Sequence, residues 1–394
     1  MKYWRGYLVA AILAAITWAF TKLAERFSIL VDMVYPYLTR TVQSFLADWT
    51  GGVNFCLWQI LVVLAIVALL TTLVLMIVFR WNFFQWLGWV LTGAVLVAFL
   101  HTGLYGLNFY AGPLANDLRM NISGYTLEEL EEATIYYRDK ANELADQMPR
   151  TPEGNLDLPS FAELAQQAGE GFRELTYDAC YPVFAGSTAP VKELGWADMY
   201  TSMGITGVTM PVTGEAAVNP QTPGGGLPFT MCHEMAHRMC IAVERDANFA
   251  AFLACRANPD LHFQYSGYFM AYTYCFNALS SVNDTQASVA SARIAAGVNA
   301  NFSRDLKTYS QFFRDNSSES ATAFANVVND TYLKASGDNG VTSYGEVCDL
   351  LVNLYIQEVI LPAQQEDAKA TFDPYDENQV DLEGIVGALP KEAP

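Results

Sequence analysis

The chain has 394 residues, 22 basic against 41 acidic, and about half of it is apolar, which is enough for a membrane module plus one or two globular units. The charge is unevenly spread. Residues 1–114 hold six basic side chains (Lys2, Arg5, Lys22, Arg26, Arg40, Arg80) and three acidic ones (Glu25, Asp32, Asp48), leaving 16 basic and 38 acidic residues beyond them. So acidic a domain repels phosphate backbones and argues against nucleic acid as a ligand, while the same charge keeps it soluble.

Three runs are apolar enough to cross a bilayer: Gly6 to Thr21, Val53 to Phe79 and Phe83 to Leu104. A hydrocarbon core about 30 Å thick needs roughly 20 helical residues, which the second and third runs supply readily and the first only marginally. Trp4, Trp58, Trp81 and Trp86 fall near the ends, at headgroup depth. Lys2 and Arg5 ahead of an apolar run also suit a signal peptide, but no small-x-small cleavage site precedes a polar start, so the run reads as an uncleaved anchor. The expected location is therefore a cell membrane crossed several times, with the lipid bilayer as first partner. Orientation is a tie by basic residues, since Lys2, Arg5 and Arg80 balance Lys22, Arg26 and Arg40. A short basic amino terminus kept in the cytoplasm would place the soluble domain outside.

The expected organisation is a membrane module over 1–110, a soluble domain over 111–362 and a polar tail over 363–394. Between the first two crossings, Leu30, Val34, Leu38, Val42 and Phe45 recur at spacings of three and four, which predicts an amphipathic helix lying on the membrane or against the domain. Thr126 with Glu129, and Ser160 with Glu163, read as capping boxes opening helices. The first of these helices carries a stripe of Leu130, Tyr137, Ala141 and Leu144. Met203 to Val218 is β-branched and glycine-punctuated, so a short strand or edge hairpin is expected there. Thr222 to Pro228, with glycines at 224 to 226, reads as a flexible loop, and Phe229 to Pro362 as helical apart from a turn at Gly337 to Gly340. Six cysteines lie in the soluble part without a CxxC pair, which suits buried free thiols or, outside a cell, disulfides.

The chemistry lies in His233-Glu234-Met235-Ala236-His237. Positions i and i+4 share a helix face, so two imidazoles reach one ion with Glu234 beside them to take a proton from water. Zinc is the expected cofactor: it lowers the pKa of bound water to about 7, and the carboxylate makes that water a nucleophile toward a polarised carbonyl. Half of the chain's four histidines are in this motif. Pro228 and Thr230 suit a helix start, and Met231, Met235 and Met239 form its apolar stripe. The motif is far along the chain from the apolar runs and follows a polar loop, which argues against a site inside the bilayer.

A third protein ligand is needed, and Glu244, Asp246, Asp260, His262 and Asp284 are the nearby choices. Glu244 is favoured: Glu244-Arg245-Asp246-Ala247-Asn248 resembles the Glu-x-x-Ala-Asp segment that supplies the third ligand in membrane metalloproteases of the prenyl-protein-processing and heat-shock kinds, a gluzincin-like set. It lies seven residues past His237, about 10 Å along an unbroken helix, so the helix must break near Cys240 to Ala242 for Glu244 to share the ion. Without a break, His262 or an aspartate must substitute. Asp246 and Asn248 suit either a supporting role for a ligating imidazole or the cap of the next helix.

The whole chain is similar to a bacterial membrane family of unknown function, family 3810, whose members join amino-terminal membrane segments to an HExxH domain. The likeness rests on Tyr35-Pro36-Tyr37, Met210 to Ala216, Phe229-Thr230, Glu244 to Phe249, Tyr265 to Tyr268, Tyr332-Leu333-Lys334 and Ser343-Tyr344-Gly345. A glycine usually stands three residues after the second histidine, where this chain has Cys240. The resemblance implies a zinc peptidase acting on a peptide or protein substrate. The expected fold is mainly α: transmembrane helices plus a zincin-like α+β soluble domain with a small edge sheet. Tyr265, Tyr268 or His262 would donate a hydrogen bond to an oxyanion, or pack in the core. Glu215 and the strand before it would bind an extended peptide, or Glu215 is only a turn carboxylate. The rival function is a catalytically silent membrane scaffold or sensor that keeps a structural zinc.

Overall fold

The computed structural model describes residues 4–336 and 346–364. The turn expected at Gly337 to Gly340, and most of the expected tail, lie outside these residues. In chain order the helices are α1 (Arg5–Arg26), α2 (Ser28–Thr50), α3 (Leu57–Val78), α4 (Phe83–Leu104), α5 (Leu114–Asp117), α6 (Leu127–Gln147), α7 (Phe161–Gln167), α8 (Glu170–Tyr177) and α9 (Ala197–Ser202). They continue with α10 (Leu227–Arg238), α11 (Glu244–Ala257), α12 (Leu261–Ser281), α13 (Thr285–Ala296), α14 (Ala300–Asn316), α15 (Glu319–Ser336) and α16 (Val347–Tyr355). The strands are β1 (Lys192–Glu193), β2 (Gly207–Met210) and β3 (Glu215–Val218). The fold is mainly helical with one small sheet, as expected.

Among the described residues, three helices are long and apolar enough to cross a membrane: α1, α3 and α4. Helices α1 and α4 pack side by side where the backbones of Gly6 and Gly88 meet, and Thr92 Oγ1 donates to Gly6 O at 2.8 Å. The 3-10 turn Gly106–Tyr110 that follows α4 returns to α1 near Lys22 and Glu25, so the two helices run in the same direction. Helix α3 is anchored at its start by the sheet. Glu215 accepts hydrogen bonds from Leu57 N (2.8 Å) and Trp58 N (2.9 Å) and pairs with Lys192 Nζ at 2.7 Å. This carboxylate satisfies two of the amides that a helix start leaves open, at the end where the helix dipole favours negative charge. Glu215 is thus a structural clamp between sheet and membrane helix. The ends of α1 and α4 and the start of α3 all face the soluble domain.

Helix α2 is present, but its orientation inverts the ordinary rule. Its inward face is polar: Arg40 donates to Met239 O (3.0 Å) and Pro182 O (3.2 Å), Gln43 Nε2 to Pro211 O (2.9 Å), and Asp48 accepts from Ser187 Oγ (2.6 Å). The predicted stripe of Leu30, Val34, Leu38, Val42 and Phe45 points away from the protein.

In the domain, both capping boxes form as predicted, and Leu130, Tyr137, Ala141 and Leu144 of α6 are buried, with α6 packed on α12. Helices α10, α11 and α12 pack on one another around buried Phe249, Phe252, Phe263 and Phe269. The predicted hairpin is β2 antiparallel to β3, with Gly207 opposite Val218 and Met210 opposite Glu215. The two-residue β1 adds parallel to β3, giving the order β1-β3-β2 and leaving β2 at an edge. The segment Thr222 to Pro228 is not the flexible loop its glycines suggest. Gly225 lies against the Phe269 ring and its carbonyl accepts from Ser266 Oγ at 2.8 Å, so the missing side chains serve close packing on α12. All seven cysteines are free thiols; six are buried and Cys180 is exposed.

Candidate metal centre

Helix α10 carries the motif. Pro228 sits in its first turn, where a missing N–H costs nothing, and Met231, Met235 and Met239 are fully buried on one face. The opposite face presents His233 and His237, whose ring centroids are 4.5 Å apart with planes at 85°. The chain then reverses. Cys240 N donates to His237 O (2.9 Å) and Ile241 N to Ala236 O (3.1 Å), the bond pair of a Schellman turn, and Cys240 takes the left-handed position with φ +69°. The break falls where a shared third ligand requires it, on a cysteine rather than a glycine.

Helix α11 therefore begins at Glu244, directly facing the histidines. Glu244 Oε2 lies 3.3 Å from His233 Nε2 and 3.4 Å from His237 Nε2. Ligands held tetrahedrally at zinc's usual bond lengths are about 3.3 Å from one another, so these separations suit a single small ion. His233, His237 and Glu244 are the one such group of candidate ligands among the described residues. His237 Nδ1 lies 2.9 Å from Ile241 O and 3.2 Å from Tyr105 Oη. A carbonyl only accepts, so in the neutral ring Nδ1 carries the hydrogen and Nε2 offers its lone pair toward Glu244.

The electrostatics belong to a tightly coupled cluster. Burial works against the charge on Glu244, but His237 and His233 outweigh it and hold the carboxyl well below its ordinary range. Burial likewise disfavours the His237 imidazolium, yet the Glu244 carboxylate prevails and lifts its pKa to about 9. Glu234 is buried beside them, and burial raises its pKa against the opposing pull of the two imidazoles and Thr209. Its carboxylate accepts from Thr209 Oγ1 at 2.7 Å, and β2 approaches it so closely that a side chain on Gly207 would collide with it.

These four residues line a cavity of about 590 Å³. One wall is β2 at Gly207, Val208 and Thr209. Another comes from the end of α4 and the turn after it through His101, Tyr105 and Phe109, and a third from α15 through Phe324, Val328 and Tyr332.

The structure thus brings together His233, Glu234, His237 and Glu244 but not the other candidates. Tyr265 is buried and donates to Asp305 Oδ2 at 2.6 Å, and Tyr268 packs against Tyr137 and Phe252; neither lines the cavity. His262 pairs with Asp260 at the start of α12, and Asp284 caps α13. Asp246 accepts from Leu114 N and Arg245, and Asn248 accepts from Tyr274, so neither holds an imidazole. The residues unforeseen from sequence are Tyr105, Thr209 and Tyr332. Tyr332 stands in a segment shared with the resembled family; Tyr105 carries no comparable local signal.

The profile of the family described as "Protein of unknown function (DUF3810)" matches residues 31–352, most of the chain, and the protein belongs to that family. The match spans most of α2, all of α3 and α4, and the three candidate ligands. No curated protein and no solved structure matches the chain.

The left-handed Cys240 yields a direct expectation. Cys240→Val, β-branched at a positive φ, lowers unfolding stability by about 2 kcal/mol, whereas Cys240→Gly stays within about 1 kcal/mol of wild type because relief of strain offsets the lost side chain. Denaturant unfolding in detergent measures both; equal losses would contradict the assigned turn.

Proposed function

We propose that the protein is a membrane-anchored zinc-dependent endopeptidase. The observation that carries the reading is the convergence of two imidazole Nε2 atoms and the Glu244 carboxylate beside a buried fourth group, Glu234. A purely structural metal site has no use for that carboxylate. Zinc held by His233, His237 and Glu244 would supply Lewis acidity toward a carbonyl and toward water.

The protein's own residues do the rest. Glu234 takes the proton from the attacking water and passes it to the leaving amine; its raised proton affinity suits a group that must both accept and release. Thr209 holds that carboxylate in place. Ile241 O and Tyr105 fix the His237 ring so that Nε2 is the ligating atom. The edge of β2 offers backbone donors and acceptors at the cavity wall, and an extended peptide can add there as a further strand, with its scissile bond beside Glu234. The domain carrying this site is proposed to lie outside the cytoplasm, with the basic amino terminus inside.

Two experiments bear on this. Glu234→Gln keeps stoichiometric zinc and loses at least about 100-fold in peptidase turnover, the usual worth of a general base; zinc retained in both proteins with turnover at background in both would favour the silent scaffold. Cys180, the one exposed thiol, reacts with a membrane-impermeant maleimide in intact spheroplasts. Labelling only after lysis would place the domain in the cytoplasm.

A further inference from the structure

We infer that the substrates are membrane-anchored polypeptides, cut where the chain leaves the bilayer. This rests on the peptidase reading and adds the substrate class.

Three placements carry it. First, the cavity reaches the end of a membrane helix. Tyr105, the first residue past α4, meets His237 Nδ1 at 3.2 Å, and His101, inside the α4 span, lines the same cavity and meets Tyr332 Oη at 3.2 Å. Second, α2 fixes the level of the bilayer. Its charged side chains Asp32, Arg40 and Asp48 all engage the protein, while Leu38, Phe45 and Trp49 are 61%, 70% and 71% exposed. Soluble monomers rarely leave an apolar face of that extent in water, and where it occurs it marks a contact surface. Lipid is its occupant, because α2 follows α1 across Phe27 alone and leads through a six-residue link into α3. Arg40 of this lipid-facing helix donates to Met239 O, the carbonyl of the residue that ends the motif helix. The end of the motif helix, two residues past His237, is therefore held directly by this helix.

Third, the binding edge is β2, which needs an extended partner. Inside the bilayer a single-span segment must stay helical to satisfy its backbone, so it can offer extended backbone only once it has emerged. Phe109, Ile205, Val208 and Phe324 give the cavity apolar walls that suit the residues flanking a span.

The test uses full-length protein in zinc-loaded proteoliposomes with three reporters that share one apolar cleavable segment. In the first the segment directly follows a single-span anchor; in the second a Gly/Ser spacer of about 30 residues separates them; in the third the segment is a free peptide. The expected result is cleavage of the first at least about tenfold faster than either other form, abolished by Glu234→Gln. Equal rates for all three overturn the inference and leave the peptidase reading intact. Absence of zinc-dependent cleavage in every reporter overturns the peptidase reading, and this inference with it.

Discussion

The structure turns on the chain reversal between α10 and α11. Two histidines one helical turn apart supply only two of the three candidate ligands, and a straight helix would carry Glu244 about 10 Å beyond them. The reversal closes that gap with two backbone hydrogen bonds and one residue in the left-handed region, so that the first side chain of α11 returns to the face the motif presents. The turn is also fixed from outside by Arg40, which holds the carbonyl of Met239.

That outside support comes from the membrane-side part of the chain. Tyr105 at the end of α4 touches His237, Arg40 of α2 holds the end of α10, and Glu215 of the sheet caps α3. The apolar helices and the elements that carry the candidate site thus share polar contacts at each junction. A membrane segment that only tethered the domain would need none of them.

Much of the fold was legible because it depends on local periodicity. The capping boxes, the α6 stripe, the β2–β3 hairpin and the three apolar runs each follow from spacing within a single element. The motif was legible for the same reason: a 3.6-residue period puts His233 and His237 on one face. What periodicity cannot supply is the partner of a face. The stripe on α2 was visible, but not which way it would face: the polar side chains turn inward to the protein and the apolar stripe outward. Glycines 224 to 226 suggested a flexible loop, yet Phe269, more than forty residues away, packs on Gly225. Tyr265 and Tyr268 were aromatic residues on a helix near the motif, and only the tertiary fold shows that their hydroxyl-bearing faces meet Asp305 and the α6 core instead. Tyr105 reaches the site through the packing of a membrane helix against the domain, which no local pattern encodes.

The central claim, one ion shared by His233, His237 and Glu244, is tested most directly by calorimetric zinc titration at pH 7 in buffers of different ionisation enthalpy. In the metal-free protein the pKa of His237 is lifted to about 9, so below that pH the ring is protonated while zinc takes only the neutral form. The account predicts one zinc per chain, release of about one proton, and an affinity that falls roughly tenfold per pH unit below 9. Glu244→Ala and His237→Ala should each weaken binding severely. Absence of stoichiometric binding, or unaltered affinity in Glu244→Ala, would contradict it.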